Sequence, residues 1–250
     1  MRKTESVDIT AVILAAGKGV RMNSHLPKVL ISIAGKPMIK HIVDKVKKLS
    51  PREIVIVANN ENLELLKKRL KNDSLLFVIQ EIPLGTADAV MRAKDFIHTS
   101  KVLVLCGDVP AIRKETLKRL IEYHEKENAS CTILTAVMDD PSGYGRIVRN
   151  GEGYVDRIVE EKDANEEEKS IKEINSGIYV FDRNALFKYL PKVKPSMVTG
   201  EYYLTGLIHI FKEKNKKICA YPSKNWMEVS GVNTKEELER MRRYLSRRKR

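Results

Sequence analysis

One stretch near the start of the chain constrains the fold more than any other. Residues 10–16 form an apolar run that ends at Gly17. A short apolar run bounded by glycine is typical of a central parallel strand that is buried on both faces. Gly17 and Gly19 would let backbone N–H groups approach a phosphate, and Arg21 and Lys28 follow with positive charge. The stretch suits a phosphate-bearing ligand. A plain glycine turn beside surface basic residues fits equally well, because the third glycine of a dinucleotide fingerprint and the Lys-Ser/Thr pair of a P-loop are both missing.

Strands and helices alternate through the first half of the chain. Apolar residues recur at helical spacing over residues 37–49, and the apolar runs at 54–58, 75–79 and 102–105 have the composition of buried strands. Thr86 stands where it could cap the first turn of the helix between the last two strands. The alternation predicts an α/β fold with a Rossmann-like open sheet, mostly parallel but mixed, and helices on both faces.

The second half has shorter strands and more turns. Residues 161–173 are polar and dense in charge, which predicts a solvated loop, and 174–181 resume a strand. A buried helix is predicted at 202–211. Thr234 and Glu237 form a capping-box pair at the start of a C-terminal helix.

Length and composition favour one large α/β domain. The chain has 250 residues, of which 42% are hydrophobic and 32% charged, as in ordinary globular proteins. No apolar run approaches membrane-spanning length, and residues 1–6 lack the apolar core of a signal peptide. We therefore expect a cytoplasmic protein with no membrane partner.

The basic charge of the chain raises nucleic-acid binding as a hypothesis of another class. More than half of the formal net charge of +13 comes from seven C-terminal residues: Arg240, Arg242, Arg243, Arg247, Arg248, Lys249 and Arg250. Such a tail would bind polynucleotides without regard to sequence and with a steep salt dependence. The rest of the chain shows no recognition motif and no aromatic residues interleaved with basic ones. We therefore expect no nucleic-acid partner and interpret the tail as a solvated or subunit-contacting helix end.

Cysteine and histidine side chains supply no candidate metal cluster or nucleophile. Cys106, Cys131 and Cys219 each lie among apolar neighbours, which predicts buried thiols. The histidines show neither metal-ligand spacing nor a nucleophile partner. We expect them in solvated or helix-surface positions: His25, His41, His98, His124 and His209.

Asp108 is the strongest single candidate for a metal ligand. It follows the predicted strand at 102–105 directly, and ligands of doubly wound sheets bind outside the carboxyl ends of the strands. A hard cation such as Mg²⁺ needs only one or two protein oxygens beside phosphate oxygens and water. The alternative is an aspartate that caps a turn, which is a common role for this residue type. The position at the end of a strand favours the metal.

A series of short motifs runs along nearly the whole chain: Leu14-Ala-Ala-Gly-Lys-Gly-Val-Arg-Met22, Leu26-Pro-Lys-Val-Leu30, Leu84-Gly-Thr86, Gly107-Asp-Val-Pro110, Gly143-Tyr-Gly-Arg-Ile147, Ile158-Val-Glu-Glu-Lys-Asp163, Ile174-Asn-Ser-Gly177, Gly200-Glu-Tyr-Tyr-Leu-Thr205 and Gly231-Val-Asn233. In order and spacing the series resembles the pyrophosphorylase domain of bacterial N-acetylglucosamine-1-phosphate uridyltransferase, a nucleotide-diphospho-sugar transferase. The first motif marks sugar nucleotidyltransferases in general. The motifs that begin at Gly143, Gly200 and Gly231 are more specific to this branch.

The resemblance implies a role for each matching residue. It implies that UTP contacts Leu14, Ala15, Ala16, Gly17 and Lys28, with Gln80, Gly85 and Thr86 around the uracil. It implies that an amino-sugar pocket is lined by Gly145, Glu160, Asn175 and Thr205. It also implies that Asp108 and Asn233 together hold Mg²⁺, and that Arg21 and Lys28 are catalytic because they stabilise the phosphates.

The implied reaction converts UTP and N-acetylglucosamine 1-phosphate into UDP-N-acetylglucosamine and pyrophosphate, through in-line attack of a phosphate oxygen on the α-phosphorus. It requires no side-chain nucleophile, and the chain offers none. The same chemistry with another sugar 1-phosphate, such as glucose 1-phosphate, or with dTTP stays open. Three residues depart from the family pattern: Pro83 replaces a glutamine, Asp88 a histidine and Gly206 an aspartate.

The resemblance also bears on domain organisation. We expect a nucleotidyltransferase domain at residues 1–232, a C-terminal helix with the basic tail at 233–250, and no β-helix acetyltransferase domain. A homo-oligomer or a separate acetyltransferase partner is compatible with that division.

Overall fold

A computed structural model of the chain describes residues 7–17, 26–71 and 73–248. The strands in these residues are β1 (Val7–Leu14), β2 (Ser32–Ile33), β3 (Lys36–Pro37), β4 (Pro51–Ala58), β5 (Leu76–Ile79), β6 (Lys101–Cys106), β7 (Cys131–Val137), β8 (Arg146–Arg149), β9 (Val155–Val159), β10 (Glu173–Asp182) and β11 (Ile218–Pro222). The helices are α1 (Met38–Lys47), α2 (Leu63–Arg69), α3 (Thr86–Arg92), α4 (Lys114–Glu127), α5 (Glu166–Ser170), α6 (Arg183–Tyr189), α7 (Gly206–Glu213) and α8 (Lys235–Arg247).

Most strands belong to one open sheet. Its order is β11-β7-β10-β6-β1-β4-β5, and β8 joins at β10 and in turn pairs with β9. The pairs of β1 with β4, β1 with β6, and β4 with β5 are parallel. Only β10 within the ordered path runs antiparallel to its neighbours, β6 and β7. The predicted open, mostly parallel and mixed sheet is confirmed.

Helices cover both faces of the sheet because its central strands are apolar on both sides. In β1, Ile9 and Ile13 face the core under α1, α2 and α4, whereas Val12 faces the core under α3, α6 and α7. Successive side chains of a strand point to opposite faces, so a strand buried on both faces needs a continuous apolar run. The apolar run at the start of the chain therefore marks the middle of the sheet.

The direction of winding changes beside β1. The chain runs from β1 to β4 and β5 on one side and then returns to place β6 on the other side. Leu14 pairs with Cys106, so the loops that follow β1 and β6 leave the sheet next to each other. A Cβ on Gly107 would lie 2.8 Å from the Leu14 carbonyl oxygen, so this close approach requires glycine. Such a switch point is where doubly wound sheets bind ligands.

The predicted boundaries differ from the structure in three places. The first strand is Val7–Leu14 rather than 10–16, and the loop begins at Ala15. The predicted helix at 202–211 begins only at Gly206, because the Tyr202 backbone pairs with the start of α3 instead. The predicted loop at 161–173 contains the short helix α5, which begins with a capping box at Asn165.

Helix α8 packs on a small third core. The predicted capping box is confirmed, since Thr234 Oγ1 accepts from the Glu237 N–H and the Glu237 carboxylate accepts from the Thr234 N–H. Leu238 and Met241 pack against a cluster that includes Val232. No helix in the described part of the chain is long and apolar enough to cross a membrane.

Two histidines are buried, contrary to the expectation of solvated positions. The His41 side chain contacts the Ile33 carbonyl at 2.7 Å, and His124 Nδ1 contacts Thr132 Oγ1 at 2.9 Å. His124 lies on the apolar face of α4, beside Leu120 and Ile121, so the helix that packs on the sheet carries it inward. Of the three cysteines, Cys131 and Cys219 are buried as predicted, whereas Cys106 is partly exposed.

We expect His124 to make stability depend on pH. Burial penalises the imidazolium and lowers the pKa of His124 from 6.5 to about 4. The unfolded chain therefore binds more protons between these values, and the free energy of unfolding falls as the pH falls through that window. Between pH 7 and pH 5 the loss from this group is about 2 kcal/mol. Urea unfolding of the wild type and His124→Asn at both values measures the difference.

The matched control is His209→Asn, because His209 is exposed on α7. The control should keep the pH dependence of the wild type, and His124→Asn should flatten it. Equal slopes in all three proteins would show that the pKa of His124 is the same in the folded and unfolded states.

Candidate functional site

Two adjoining cavities open where β1 and β6 end. The first cavity is lined by the loop after β1, by Lys28 and by the segment from Gln80 to α3. The second cavity lies towards β10 and is lined by Gly145, Glu160, Asn175 and Thr205 among others. Both cavities share four lining residues: Leu14, Thr86, Cys106 and Asp108. A ligand in one cavity can therefore meet a ligand in the other at the ends of β1 and β6.

The structure brings together nearly all the residues that the motif series singles out. The first cavity is lined by Leu14, Ala15, Ala16, Gly17, Lys28, Gln80, Gly85 and Thr86. The second is lined by Gly145, Glu160, Asn175 and Thr205, and also by Asp108 and Asn233. Arg21 lies outside the described residues. The grouping matches the predicted nucleotide and sugar halves, and the role of each residue stays a prediction.

Two asparagines that the sequence analysis overlooked hold the loop after β1. Asn59 Nδ2 donates to the Ala16 carbonyl and Asn62 Nδ2 donates to the Ala15 carbonyl, both at 2.8 Å. Each asparagine also accepts from the other's backbone N–H. Both are buried, so the loop is tied to β4 by satisfied hydrogen bonds. The sequence contained a signal for Asn59, which directly follows the predicted strand at 54–58, and Asn62 comes three residues later.

Lys28, Asp108 and Asn233 meet at the border of the two cavities. Lys28 Nζ donates to the Asp108 carboxylate and, at 2.7 Å, to Asn233 Oδ1. The Val232 N–H donates to the Asp108 carbonyl at 3.0 Å, which brings the loop at 231–233 to the end of β6. Residues far apart in the sequence thus share one cation, the Lys28 ammonium.

The oxygens around this ammonium fit the Mg²⁺ ion that the resemblance implies. One carboxylate and one amide oxygen are hard ligands, and Mg²⁺ completes its shell with water or phosphate. No three His, Cys, Asp or Glu side chains of residues 7–17, 26–71 and 73–248 gather into a metal site. Asp108 and Asn233 could therefore hold the ion only together with oxygens from water or a ligand.

The second cavity combines a carboxylate and an amide. Thr205 Oγ1 donates to Glu160 Oε1 at 2.8 Å, and burial raises the pKa of the Glu160 carboxyl. Asn175 Oδ1 accepts from the Gly177 N–H, and the backbone N–H of Asn175 donates to the Gly145 carbonyl. A Cβ on Gly145 would come within 3.4 Å of Glu160 Oε2. The cavity suits a ligand with several hydroxyl or N–H donors.

Tyr144 links the two walls of the second cavity. The Gly231 N–H donates to Tyr144 Oη at 3.0 Å, and partial burial of the tyrosine raises its pKa. The contact ties the turn at 143–147 to the loop that carries Asn233. The sequence analysis missed this role because a single tyrosine within a motif says nothing about a partner so distant along the chain.

Thr86 does not cap α3 as predicted. Gly85 occupies the N-cap position with φ of +116°, and Thr86 Oγ1 accepts from the Leu204 N–H at 2.8 Å. A Cβ on Gly85 would lie 2.5 Å from the Tyr202 carbonyl oxygen. The start of α3 can approach residues 202–204 this closely only because residue 85 is glycine. The Thr86 hydroxyl then holds this segment through its hydrogen bond with Leu204.

Sequence comparison decides the family. A model of the family described as Nucleotidyl transferase matches residues 10–240. The chain belongs to the nucleotidyl transferase family. This result confirms the prediction made from the motif series.

Curated relatives of this nucleotidyl transferase are similar over almost all of its length. It is 45% identical over 240 residues to the bifunctional protein GlmU of Enterococcus faecalis, covering 95% of this chain and 52% of the relative. It is 47% identical over 230 residues to GlmU of Bacillus cytotoxicus, covering 91% and 50%. The chain thus spans about half the length of the curated relatives it matches.

A solved structure supports the fold of the nucleotidyl transferase. The crystal structure of a Bacillus anthracis protein named as a glucose-1-phosphate thymidylyltransferase superposes with a TM-score of 0.75. The superposition covers 94% of both chains at 22% sequence identity. This likeness concerns the architecture of the chain.

Among the residues that the structure describes, the site of the nucleotidyl transferase contains no activated thiol. Cys106 is the cysteine nearest to Asp108, and its Sγ donates to the Gly177 carbonyl at 3.5 Å. Although the residue is partly exposed, burial of its Sγ raises the pKa of the thiol to about 12, so Cys106 stays protonated near neutral pH. What the described residues offer is positive charge, oxygen ligands and a shaped pair of cavities, which suits direct transfer between two bound anions.

Proposed function

We propose that this nucleotidyl transferase catalyses the Mg²⁺-dependent synthesis of UDP-N-acetylglucosamine and pyrophosphate from UTP and N-acetyl-α-D-glucosamine 1-phosphate. The observation that carries the proposal is the meeting of the two cavities at Lys28, Asp108 and Asn233. A triphosphate in the first cavity and a sugar phosphate in the second would present their phosphates to each other at this border. The motif series and the relatives named GlmU support the same assignment.

The reaction is an in-line substitution at phosphorus. An oxygen of the sugar phosphate forms a bond to the α-phosphorus of UTP, and the bond from that phosphorus to the bridging oxygen of the β-phosphate breaks. Pyrophosphate leaves with the electron pair of that bond. Two anions must approach each other, so the work of the protein is positioning and neutralisation of charge.

Lys28 supplies positive charge at the point of transfer. Its ammonium is mostly buried between Asp108 and Asn233, where a charge interacts more strongly with a phosphate than it would in water. Asp108 and Asn233 would hold Mg²⁺, which when bound neutralises phosphate charge and orients the oxygens around it. Arg21, which follows β1 in the sequence, would add a second cationic side chain.

The second cavity would select the sugar. Glu160 can accept from sugar hydroxyls, and Asn175 can both donate and accept. Thr205 occupies one oxygen of Glu160 and holds the carboxylate in place. A hydroxyl-rich ring bearing one amide fits this set of partners.

A substrate panel tests the proposal. Purified protein with Mg²⁺ is given UTP, dTTP, CTP or ATP against N-acetylglucosamine 1-phosphate, glucose 1-phosphate or galactose 1-phosphate, and pyrophosphate is measured. The highest kcat/KM should come from UTP with N-acetylglucosamine 1-phosphate. A higher value for glucose 1-phosphate or dTTP would assign the same chemistry to another substrate, and no release with any pair would refute the proposal.

A further inference from the structure

Asp88 contacts Gln80, a residue of the first cavity's wall, and the proposed reaction assigns no role to this contact. Gln80 Nε2 donates to Asp88 Oδ2 at 2.8 Å and to the Gly85 carbonyl at 2.9 Å. Gln80 is only 3% exposed, and it lines the first cavity together with Pro83. Arg92 holds the other oxygen of Asp88 through its Nη2 at 3.0 Å. The carboxylate therefore bridges the Arg92 guanidinium and the Gln80 amide.

These contacts allow only one orientation of the Gln80 amide. A carboxylate and a backbone carbonyl can accept hydrogen bonds but cannot donate them. Rotating the amide by half a turn would place Oε1 against both acceptors and break two hydrogen bonds, one of them to a charged group. Both N–H groups of Gln80 are thus committed to the protein. Oε1 is the polar atom of this side chain that the two contacts leave for a ligand.

Oε1 is suited to the base rather than to the phosphates. An uncharged acceptor repels phosphate oxygens, and the phosphates have Lys28 at the border with the second cavity. A nearly buried acceptor in a cavity wall calls for a donor from the ligand. Uracil and thymine carry a donor, N3–H, at the middle of their Watson–Crick edge, whereas cytosine carries an acceptor there.

We propose that Asp88 is a positioning residue for base selectivity: it fixes Gln80 so that Oε1 accepts from the N3–H of the base and rejects cytosine. This inference rests on the proposed use of UTP. Asp88 acts through Gln80 and needs no contact with the base itself. A free glutamine would rotate and offer Nε2 to the N3 of cytosine, so selectivity depends on the carboxylate.

A simpler role for Asp88 is stabilisation of α3. An acidic side chain in the first turn favours a helix, and the pair with Arg92 adds to it. That role affects the free energy of unfolding and leaves the choice of base unchanged. The test must therefore read selectivity and stability separately.

The experiment compares kcat/KM for UTP and CTP in the wild type, Asp88→Ala and the double variant Asp88→Asn/Arg92→Met, with urea unfolding of each protein. Asp88→Ala should lower the UTP/CTP ratio about tenfold, because the amide loses a charged acceptor and can rotate. In Asp88→Asn/Arg92→Met no second donor competes for the asparagine oxygen, which can still accept from Gln80, so this double variant should keep most of the ratio. Arg92→Met is the matched control: it removes the other partner of Asp88, and the ratio should not change.

The outcomes separate this inference from the proposed function. A wild type that does not prefer UTP to CTP would refute both. A wild type that prefers UTP, with an unchanged ratio in Asp88→Ala, would refute only the role of Asp88. Equal losses in Asp88→Ala and Asp88→Asn/Arg92→Met would also refute it, because hydrogen-bond acceptance from Gln80 would then not matter. If Asp88→Ala is unstable, Asp88→Met removes the acceptor while retaining a good helix former.

Discussion

Replacing Asp108 by asparagine is expected to lower turnover by at least about a hundredfold, as expected for a ligand of a catalytic metal. The change keeps the size of the side chain but removes a negative charge beside Lys28 and Asn233. The two amide oxygens that remain would hold Mg²⁺ weakly, so a higher Mg²⁺ concentration should restore part of the rate. Pyrophosphate release measured over a range of Mg²⁺ concentrations tests both parts of this prediction.

The control for this variant is Asp139→Asn, which removes one carboxylate from a fully exposed position after β7. Asp139→Asn changes the net charge by the same amount as Asp108→Asn, and its turnover rate should equal that of the wild type. Rates like those of the wild type in Asp108→Asn, with an unchanged dependence on Mg²⁺, would remove Asp108 from the catalytic site.

Replacing Lys28 by alanine is expected to lower kcat/KM by about two orders of magnitude, a typical cost of losing one group that stabilises charge in the transition state. Both binding and turnover should suffer, because Lys28 lines the cavity of the triphosphate and stands at the border where the phosphates meet. Steady-state kinetics with each substrate varied in turn separates the effect on KM from the effect on kcat.

Lys36→Ala is the matched control for Lys28→Ala. Lys36 also pairs with an aspartate, Asp44, but on a more exposed surface outside both cavities. It should leave the kinetic constants unchanged. A Lys28→Ala protein that loses stability but keeps its kinetic constants would show that the lysine only neutralises Asp108 in the folded state.

The sheet could be predicted because its central strands are recognisable from their apolar composition. The runs that became β1, β4 and β6 are apolar on both faces, as strands covered by helices on both sides require. The boundaries of less regular segments could not be predicted in the same way. Tyr202 begins a stretch with the apolar composition of a buried helix, yet its backbone forms hydrogen bonds with Leu84 and Ala87. These partners are distant in the sequence, so the residues around Tyr202 do not predict the pairing.

The loops of the site were predictable from the ends of strands, but their partners were not. Residues 15–17 and Asp108 follow β1 and β6, so the topology alone places them together. Asn233 joins them through a backbone contact of Val232 with Asp108, and spacing in the sequence does not encode this contact. Only the resemblance to a known family paired Asp108 with Asn233. Arg21 and the division of the chain at residue 232 stay predictions.

His124 shows the limit of reasoning by residue type. Histidine is common on surfaces, yet its place in the apolar stripe of α4 already indicated an inward position. Helical periodicity was the better guide to its burial than the chemical class of its side chain.

The most direct test of the central claim is an analysis of products from UTP and N-acetylglucosamine 1-phosphate. Mass spectrometry and a pyrophosphate assay follow the same reaction with Mg²⁺ present and with the metal removed by a chelator. The account predicts equal amounts of UDP-N-acetylglucosamine and pyrophosphate, formed only with Mg²⁺. Absence of the nucleotide sugar, or release of pyrophosphate without the sugar phosphate, would contradict it.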